Sequence, residues 1–499
     1  GLPDRDYYLK DDDQSKELRK GYEAHVTKML SLLGEPEADA ARHAAQIVAF
    51  ETELAKESRP SDEMRNLEKL YHKIDITGLK ALTPDLPWER YLAGIGYPGL
   101  VPVNAGTPEF LKGLASIAKT TQPDVLQAYL RWQLVSGTAP LLSKAFVDEN
   151  FAFFGAKLSG QQEIETRWKR CVTATDAAMG ELLGQAFIDR EFPGDSKAIA
   201  VEMIHSIEAA FEAGLPSLTW MDDATRKRAL DKMKAITNKI GYPDTWRDYS
   251  GLAVTPASYF DNSTAARVFE FKHEGDKIGK PRDRKEWGMT PPTVNAYYNP
   301  TANEIVFPAG VLQRPFFHRD FPIPMNFGGI GMVMGHELTH GFDDQGRKFD
   351  PSGQMSEWWD PEVVKKFEER AQCVDDLYDT YEVLPGVHLN GKLTLGENIA
   401  DLGGVKEAYN AYKMWVKKHG EPAPTIEGVT NDQLFFLGFA QSWCVLETPE
   451  YAKMMANVNP HSAARFRVIG PLSNLPAFSE AFGCKEGSPM RPAKTCEVW

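Results

Sequence analysis

Two histidines and a glutamate at residues 336–340 form the pattern His-Glu-x-x-His, which is typical of metal-dependent hydrolysis. Apolar residues recur around the motif at helical spacing, so we predict that it lies on a buried helix. Residues i and i+4 of a helix share one face, so His336 and His340 can offer two imidazoles to one metal ion. Glu337 lies one position further round and can act as a general base on a water beside that metal. Two surface histidines on a polar face are the alternative, which the apolar surroundings disfavour.

A second pair at helical spacing supplies a candidate third ligand. Glu397 and Asp401 lie four residues apart in Gly-Glu-Asn-Ile-Ala-Asp-Leu-Gly-Gly at residues 396–404, and the helical pattern continues beyond them. Two histidines and a glutamate with one open position form a known catalytic zinc site. We therefore predict Glu397 as a metal ligand and Asp401 as the acceptor of a hydrogen bond from a ligand imidazole. A capped helix with two solvated acids is the alternative.

The composition limits the class of protein. A chain of 499 residues is too long for one ordinary core, which predicts more than one domain. Its 56 basic and 70 acidic residues give a net charge of −14 without a basic stripe, which argues against nucleic acid as a partner. No apolar run approaches the length of a membrane span.

The cysteines leave two readings of the cellular compartment open. They are five in number, and no two form Cys-x-x-Cys. They are either buried free thiols of a cytosolic protein or an odd set that needs a partner elsewhere in a secreted one.

The patterning predicts a fold that is mainly α with a smaller β part. Residues 1–258 are predicted to form a mainly helical domain, and residues 259–499 the catalytic domain, with the boundary at a turn-rich stretch. A strand pair ahead of the metal-binding helix could hold an extended peptide along its edge; an ordinary core hairpin is the alternative. The predicted helices cover residues 12–33, 37–58, 111–154, 163–192 and a segment from 220 to before 241, with a connection at 84–102 and strands at 294–298 and 304–307.

A family resemblance is carried by residues 1–8, 220–223, 294–297, 336–340, 396–404 and 496–499. Taken together, these segments resemble the neprilysin and endothelin-converting-enzyme family of zinc metallopeptidases. The resemblance covers the whole chain and implies a thermolysin-like zinc peptidase domain plus a large helical domain that encloses the active-site cavity. Tyr297 stands where the family has Phe, which is a mild departure.

The resemblance implies substrate-binding residues that the patterns alone do not assign. Asn295 and Ala296 would bind the substrate backbone. His461 would donate a hydrogen bond to the oxyanion, and Arg467 would donate to a substrate carbonyl. By residue type alone, His461 would be an ordinary loop histidine.

The resemblance also implies an apolar pocket for the substrate residue that follows the cleaved bond. The pocket would consist of Phe316, Val333 and Trp443, which periodicity alone would assign to the core. Short peptides cleaved on the amino side of apolar residues are the expected substrates.

Within the family pattern, Cys373 pairs with Cys496. The resemblance pairs Cys171, Cys444 and Cys484 with cysteines of a missing N-terminal segment, which would also carry a substrate-binding arginine. These disulfides imply an oxidising compartment, so we expect an extracellular, periplasmic or cell-surface location.

We predict a zinc endopeptidase with one Zn²⁺ per chain. The expected mechanism is attack of a zinc-bound water, whose pKa is lowered to about 7, on the peptide carbonyl, with Glu337 as general base. A scaffold protein that keeps a peptidase fold without turnover is one alternative, and retention of Glu337 argues against it. A structural zinc site is the other, but it would usually have four protein ligands, commonly cysteines.

Overall fold

A computed structural model describes residues 1–499, and the chain divides into two compact units. The first unit contains Gly1–Thr166, Gly251–Lys280 and Glu447–Val458, and the second contains Arg167–Ser250, Pro281–Leu446 and Asn459–Trp499. This division by packing differs from a single boundary after residue 258. Local composition predicts which segments are helical. It does not predict which distant segments pack together in one unit.

The chain is mainly helical with few strands. The α-helices are Asp6–Leu9 (α1), Asp13–Leu32 (α2), Glu37–Glu57 (α3), Leu67–Leu70 (α4), Ile76–Leu82 (α5), Trp88–Gly94 (α6), Pro108–Thr120 (α7), Pro123–Thr138 (α8), Lys144–Asn150 (α9), Arg167–Glu191 (α10), Ser196–Gly214 (α11), Asp223–Lys234 (α12), Tyr259–Gly275 (α13), Ile323–Asn326 (α14), Met332–His340 (α15), Pro361–Asp379 (α16), Gly391–His419 (α17), Asn431–Gln441 (α18), Pro449–Val458 (α19), Ala464–Ser473 (α20) and Pro476–Phe482 (α21). The π-helices are Phe151–Leu158 and Phe327–Gly331, and the 3₁₀ turns are Glu63–Arg65, Ala139–Leu141, Leu215–Ser217 and Gly346–Lys348. The strands are Lys73–Ile74 (β1), Val103–Asn104 (β2), Thr237–Gly241 (β3), Tyr297–Asn299 (β4), Glu304–Pro308 (β5), Glu382–Leu384 (β6) and Val387–His388 (β7).

In the first unit, α2 and α3 confirm the helices predicted at residues 12–33 and 37–58. Asp12 caps α2 by accepting a hydrogen bond from the backbone N–H of Ser15. The buried face of α2 packs into a core where Trp132 Nε1 donates to the hydroxyl of Tyr22 at 3.0 Å. Burial of these two aromatic side chains with a satisfied polar atom on each stabilises this helical unit.

The single helix predicted over residues 111–154 is wrong. The chain instead forms α7, α8 and α9, followed by a π-helix. Pro123 begins α8 and Pro140 lies in the 3₁₀ turn that follows it. Proline has no N–H and restricts the preceding residue, so it favours helix starts over helix interiors. A short helix, α6, also lies in the predicted connection.

The second unit contains a three-stranded sheet with the order β3-β5-β4. β5 is buried along its whole length and pairs parallel with β3 and antiparallel with β4. The prediction of a two-stranded element is therefore incomplete, since β3 occupies residues predicted to continue a helix. That helix, α12, ends at Lys234, and pairing with β5 supplies the strand bonds that the local sequence does not signal.

The metal-binding motif lies on α15, as predicted, but the apolar helix leading to it is not uniform. α14 continues through a π-helix at Phe327–Gly331 before α15 begins at Met332. A Cβ on Gly328 would lie 2.0 Å from the carbonyl oxygen of Phe435. The glycine-rich segment therefore allows close backbone contact with α18. Its backbone hydrogen bonds follow the wider π-helical pattern at this contact.

A disulfide between Cys373 and Cys496 confirms the predicted pairing and closes a separation of 123 residues. The chain end is buried, with Val498 accepting a hydrogen bond from Trp220 Nε1 at 3.1 Å. Disulfides persist in oxidising compartments, so this bond indicates such a compartment. None of the helices combines the length and apolar character needed to cross a membrane.

Candidate metal centre

Three predicted ligand atoms converge in the second unit. His336 Nε2 and His340 Nε2 lie 3.0 Å apart. Glu397 Oε2 lies 3.2 Å from the first nitrogen and 3.5 Å from the second. The two histidines come from one face of α15 and the glutamate from α17, so both predicted i, i+4 pairs face the same point.

These three residues fit a zinc ion. Zinc held by bonds of about 2.0–2.1 Å in a tetrahedron separates its ligand atoms by about 3.3–3.4 Å, and the observed separations of 3.0 to 3.5 Å bracket that value. Glu397 Oε2 is also buried, and the nitrogens of His336, His340 and His461 lie within 3.5 Å of it without forming a regular hydrogen bond. A metal ion between these groups would satisfy the oxygen, because an unpaired buried oxygen is otherwise costly.

Two glycines bring the ligand helices together. A Cβ on Gly335 would lie 2.6 Å from the carbonyl oxygen of Gly404, and a Cβ on Gly404 would lie 2.5 Å from the backbone nitrogen of His336. Any side chain at either position would push α15 and α17 apart. The predicted motifs contain both glycines, but nothing in the spacing revealed that they contact one another.

Asp401 holds the first imidazole. Its Oδ1 lies 2.8 Å from His336 Nδ1, and the side chain is fully buried. Burial lowers the pKa of His336, but the carboxylates of Asp401 and Glu397 outweigh burial, so this pKa lies above its ordinary value. The contact favours a proton on Nδ1 and leaves Nε2 free for a metal.

Asp343 holds the second imidazole in the same manner. Its Oδ2 lies 2.7 Å from His340 Nδ1, and its Oδ1 accepts hydrogen bonds from the backbone N–H groups of Gln345 and Gly346 at 2.9 and 2.6 Å. The sequence analysis assigned no role to Asp343. Its position three residues after His340, in the turn that ends the helix, is the signal that could have found it.

Glu337 lies beside the ligands and is buried. Burial raises the pKa of Glu337, while the positive charges of His336 and His340 oppose that rise. A carboxyl whose pKa is raised towards neutrality is better matched to proton transfer than an exposed one.

His461 also reaches the metal centre. Its Nε2 lies 3.2 Å from Glu397 Oε2, and its Nδ1 lies 3.0 Å from Asn459 Oδ1. The hydroxyl of the next residue, Ser462, donates to Asn398 Oδ1 at 2.7 Å. This buried bond joins the His461 loop to the helix that carries Glu397. Residue type alone did not indicate that His461 would lie at the metal centre.

Arg467 binds Asp401 through two of its three nitrogens. Nε donates to Oδ2 at 2.8 Å and Nη2 donates to Oδ1 at 2.7 Å. Burial raises the pKa of Asp401, but Arg467 outweighs it, so the pKa of Asp401 lies below its usual range. The Asp401 carboxylate does not engage Nη1. This nitrogen therefore remains for the role predicted for Arg467, donation to a substrate carbonyl.

The predicted pocket residues are not fully buried. Phe316, Val333 and Trp443 are each half-buried, whereas a core assignment from periodicity would require burial. Trp443 lies under the guanidinium of Arg467, with 4.0 Å from Cζ to the ring centroid. The three side chains therefore have apolar surface that remains accessible in the unit that holds the ligands.

The predicted backbone-binding residues precede the edge strand. Asn295 is exposed and Ala296 is buried, and both come directly before β4. The predicted strand at residues 294–298 is therefore displaced towards the C-terminus. Asn295 Oδ1 accepts a hydrogen bond from the N–H of Ala296, which favours a turn over a ladder at this point.

Known proteins resemble this chain over most of its length. Residues 1–243 and residues 295–498 match the two models described as Peptidase family M13. Human endothelin-converting enzyme 1 is 44% identical over 515 residues, covering 100% of this chain and 66% of the human protein. Neprilysin-3 of Drosophila melanogaster is 40% identical, again covering 100% of this chain and 66% of the relative. The chain therefore spans just under two thirds of the length of these relatives.

A solved structure extends the likeness to the fold. The zinc metalloprotease ZMP1 of Mycobacterium tuberculosis, in complex with an inhibitor, matches with a TM-score of 0.95 and 35% identity. The match covers 100% of this chain and 77% of that one. A His-Glu-x-x-His helix facing a helix with a third, acidic ligand defines the class of zinc metallopeptidases. The chain belongs to peptidase family M13, the neprilysin and endothelin-converting-enzyme family of zinc peptidases.

Asp401→Asn tests whether the acid that contacts His336 tunes the metal site. The variant keeps the volume of the side chain but loses the charge that His336 and Arg467 share. We expect zinc affinity to fall by about 10–100-fold, which is typical when the partner of a ligand imidazole is lost. Competition with a chelator measures the affinity, and Asp376→Asn, at an exposed position on α16, is the matched control. Equal affinities in the two variants would show that Asp401 does not support the metal site.

Proposed function

We propose that this protein is a zinc-dependent endopeptidase that hydrolyses short peptides on the amino side of apolar residues. The observation that carries the proposal is the convergence of His336, His340 and Glu397 with the buried Glu337 beside them. Zinc, when bound, supplies a Lewis acid that polarises the scissile carbonyl and lowers the pKa of a water molecule to about 7.

The protein's own groups then move the protons and hold the developing charge. Glu337 accepts a proton from the attacking water and passes it to the leaving amine, which is the work of a general base and then a general acid. His461 donates a hydrogen bond to the oxyanion, and Arg467 donates to a substrate carbonyl through Nη1. Donors that are aimed in advance at developing charge typically contribute about 2.7–4 kcal/mol each. The contacts of His461 Nε2 with Glu397 Oε2 and of Arg467 with Asp401 support this arrangement.

The substrate backbone is held in an extended form. β4 is an edge strand of its sheet, so one side of it lacks a partner strand. A peptide aligned along this edge would hydrogen-bond to the backbone, and Asn295 and Ala296 would extend that contact at the start of the strand. Backbone recognition of this kind permits many sequences, so side-chain preference must arise elsewhere.

The preference arises from the half-buried pocket of Phe316, Val333 and Trp443. Apolar surface that remains accessible in the folded chain favours an apolar ligand, because about 25 cal/mol is gained for each Å² removed from water. The residue after the cleaved bond would enter this pocket. Leu, Phe and Ile are the expected residues at that position.

Glu337→Gln separates the base from the metal ligands. The variant should keep zinc and lose turnover by about 10²–10⁴-fold, because the amide cannot accept the proton. Glu397→Gln, the matched substitution at a ligand, should instead weaken zinc binding. Metal analysis of purified protein and cleavage of a peptide library measure the two effects. Normal cleavage by the Glu337 variant would refute the mechanism, whereas absence of cleavage by the wild type would favour the alternative of a scaffold without turnover.

A peptide library also tests the pocket. The wild-type profile should show cleavage before Leu, Phe, Ile or similar residues. Phe316→Ala should enlarge the pocket and shift preference towards bulkier side chains by about 10–200-fold in relative kcat/KM, the range that one or more methylene groups supply in apolar pockets. A profile dominated by charged residues at this position would overturn the assignment.

We further propose that Cys171, Cys444 and Cys484 pair with cysteines of an N-terminal segment, in an extracellular, periplasmic or cell-surface location. Two of these thiols are exposed and the third is half-buried, and none has a partner in this chain. Mass spectrometry of alkylated native protein, with and without reductant, tests the proposal. Blocked thiols that release a companion peptide on reduction are expected. Three free thiols in fully active protein would contradict it.

A further inference from the structure

A lysine lies fully buried behind the metal centre. Lys232 is in the last turn of α12, in a segment rich in charged residues that resembles an ordinary solvated helix face. Its Nζ donates hydrogen bonds to the backbone carbonyls of Gly341, Gly346 and Phe349 at 2.6, 2.7 and 2.7 Å. An ammonium group has three donors, so these carbonyls use the whole donor capacity of the side chain.

The surroundings of Lys232 favour this arrangement over an ion pair. Asp343 and Asp350 act on Nζ through their charge and not through a hydrogen bond, and three aromatic rings face it, with centroids 5.4 to 5.8 Å away. Burying an ammonium costs several kcal/mol unless hydrogen bonds replace its water. The three carbonyls belong to one loop, so the lysine holds both ends of residues 341–349 at a single point.

That loop carries the acid that holds a ligand. Gly346 accepts from Lys232 through its carbonyl and donates its N–H to Asp343 Oδ1 at 2.6 Å. Asp343 Oδ2 in turn contacts Nδ1 of His340 at 2.7 Å. A Cβ on Gly346 would lie 1.7 Å from the carbonyl oxygen of His340, so the loop packs directly against the end of α15.

We propose that Lys232 is a positioning residue for the metal site. It fixes the loop at residues 341–349, the loop aims Asp343, and Asp343 sets the ring orientation and tautomer of His340. The inference rests on the proposed function only through the assignment of His340 as a metal ligand. It adds a residue more than a hundred positions distant in the sequence to the group that determines zinc affinity.

Lys232→Met tests the inference, because methionine keeps the apolar stem and removes the charge and all three donors. Lys234→Met is the matched control on the same helix, where the side chain is about half exposed and pairs with Glu212. Zinc affinity of the full chain is measured by chelator competition, and the visible spectrum of cobalt(II)-substituted protein reports ligand geometry. We expect the Lys232 variant to bind zinc about 10-fold more weakly, the lower end of the range for partners of ligand imidazoles, with an altered cobalt spectrum. The control should match the wild type in both.

A double-mutant cycle with Asp343→Asn separates positioning from general stability. If Lys232 acts through Asp343, Lys232→Met should change zinc affinity by less than about 2-fold in the Asp343→Asn background, because effects within one network are not additive. A full additional 10-fold loss there would overturn the proposal, as would wild-type zinc affinity in Lys232→Met. Absence of zinc binding by the wild-type protein would instead refute the proposed function itself.

Circular dichroism of the zinc-free proteins establishes that each variant is folded at the temperature of the titration. If Lys232→Met does not fold, Lys232→Gln carries the same test, since its amide can still donate to two of the carbonyls. Failure of both variants to fold, with Lys234→Met folded, would overturn the proposal by assigning Lys232 to global stability.

Discussion

The metal centre depends on how closely two helices can approach. α15 and α17 meet through Gly335 and Gly404, where the backbone of each helix occupies the space that a side chain on the other would fill. Ordinary helix pairs are held about 8–10 Å apart by their side chains, and removing the side chains at the crossing permits a closer contact. Because the two histidines lie on one helix and Glu397 on the other, the ligand triangle exists only at this short separation.

Charge balance is the second requirement of a site buried in this way. Asp401 is fully buried and is compensated by Arg467 on one side and His336 on the other. Asp343 is compensated by two backbone N–H groups and by His340. Removing one partner from a buried ionic pair typically costs about 3–5 kcal/mol. Burial lowers the pKa values of both imidazoles, but the neighbouring carboxylates outweigh it and hold both above their ordinary value.

Distant segments supply the groups that hold the ligand helices in place. Ser462 connects the His461 loop to α17 by a hydrogen bond to Asn398, and Lys232 donates hydrogen bonds to the loop that follows α15. The buried chain end adds a covalent link through Cys373 and Cys496. Each of these contacts joins residues more than 60 positions apart, so the site is a product of the packing of the whole second unit and not of the two motifs alone.

The sequence by itself determined that the three candidate ligands lie on shared helix faces, because helical periodicity is a local property. His336 and His340, like Glu397 and Asp401, share a face at a spacing of four residues, whatever else surrounds them. The amphipathic helices α2 and α3 were predicted for the same reason. The broken helix at residues 111–154 could have been found by giving more weight to Pro123 and Pro140, since proline acts locally as well.

Only the tertiary structure decided which segments meet. The segment of β3 forms a strand because it pairs through backbone hydrogen bonds with β5, although the local sequence predicted that a helix would continue there. The turn that follows His340 brings Asp343 against its imidazole, and Lys232 binds carbonyls 109 to 117 residues away. A buried lysine and a solvated one have the same local sequence pattern, because burial and hydrogen bonding are set by whatever packs against the side chain in three dimensions.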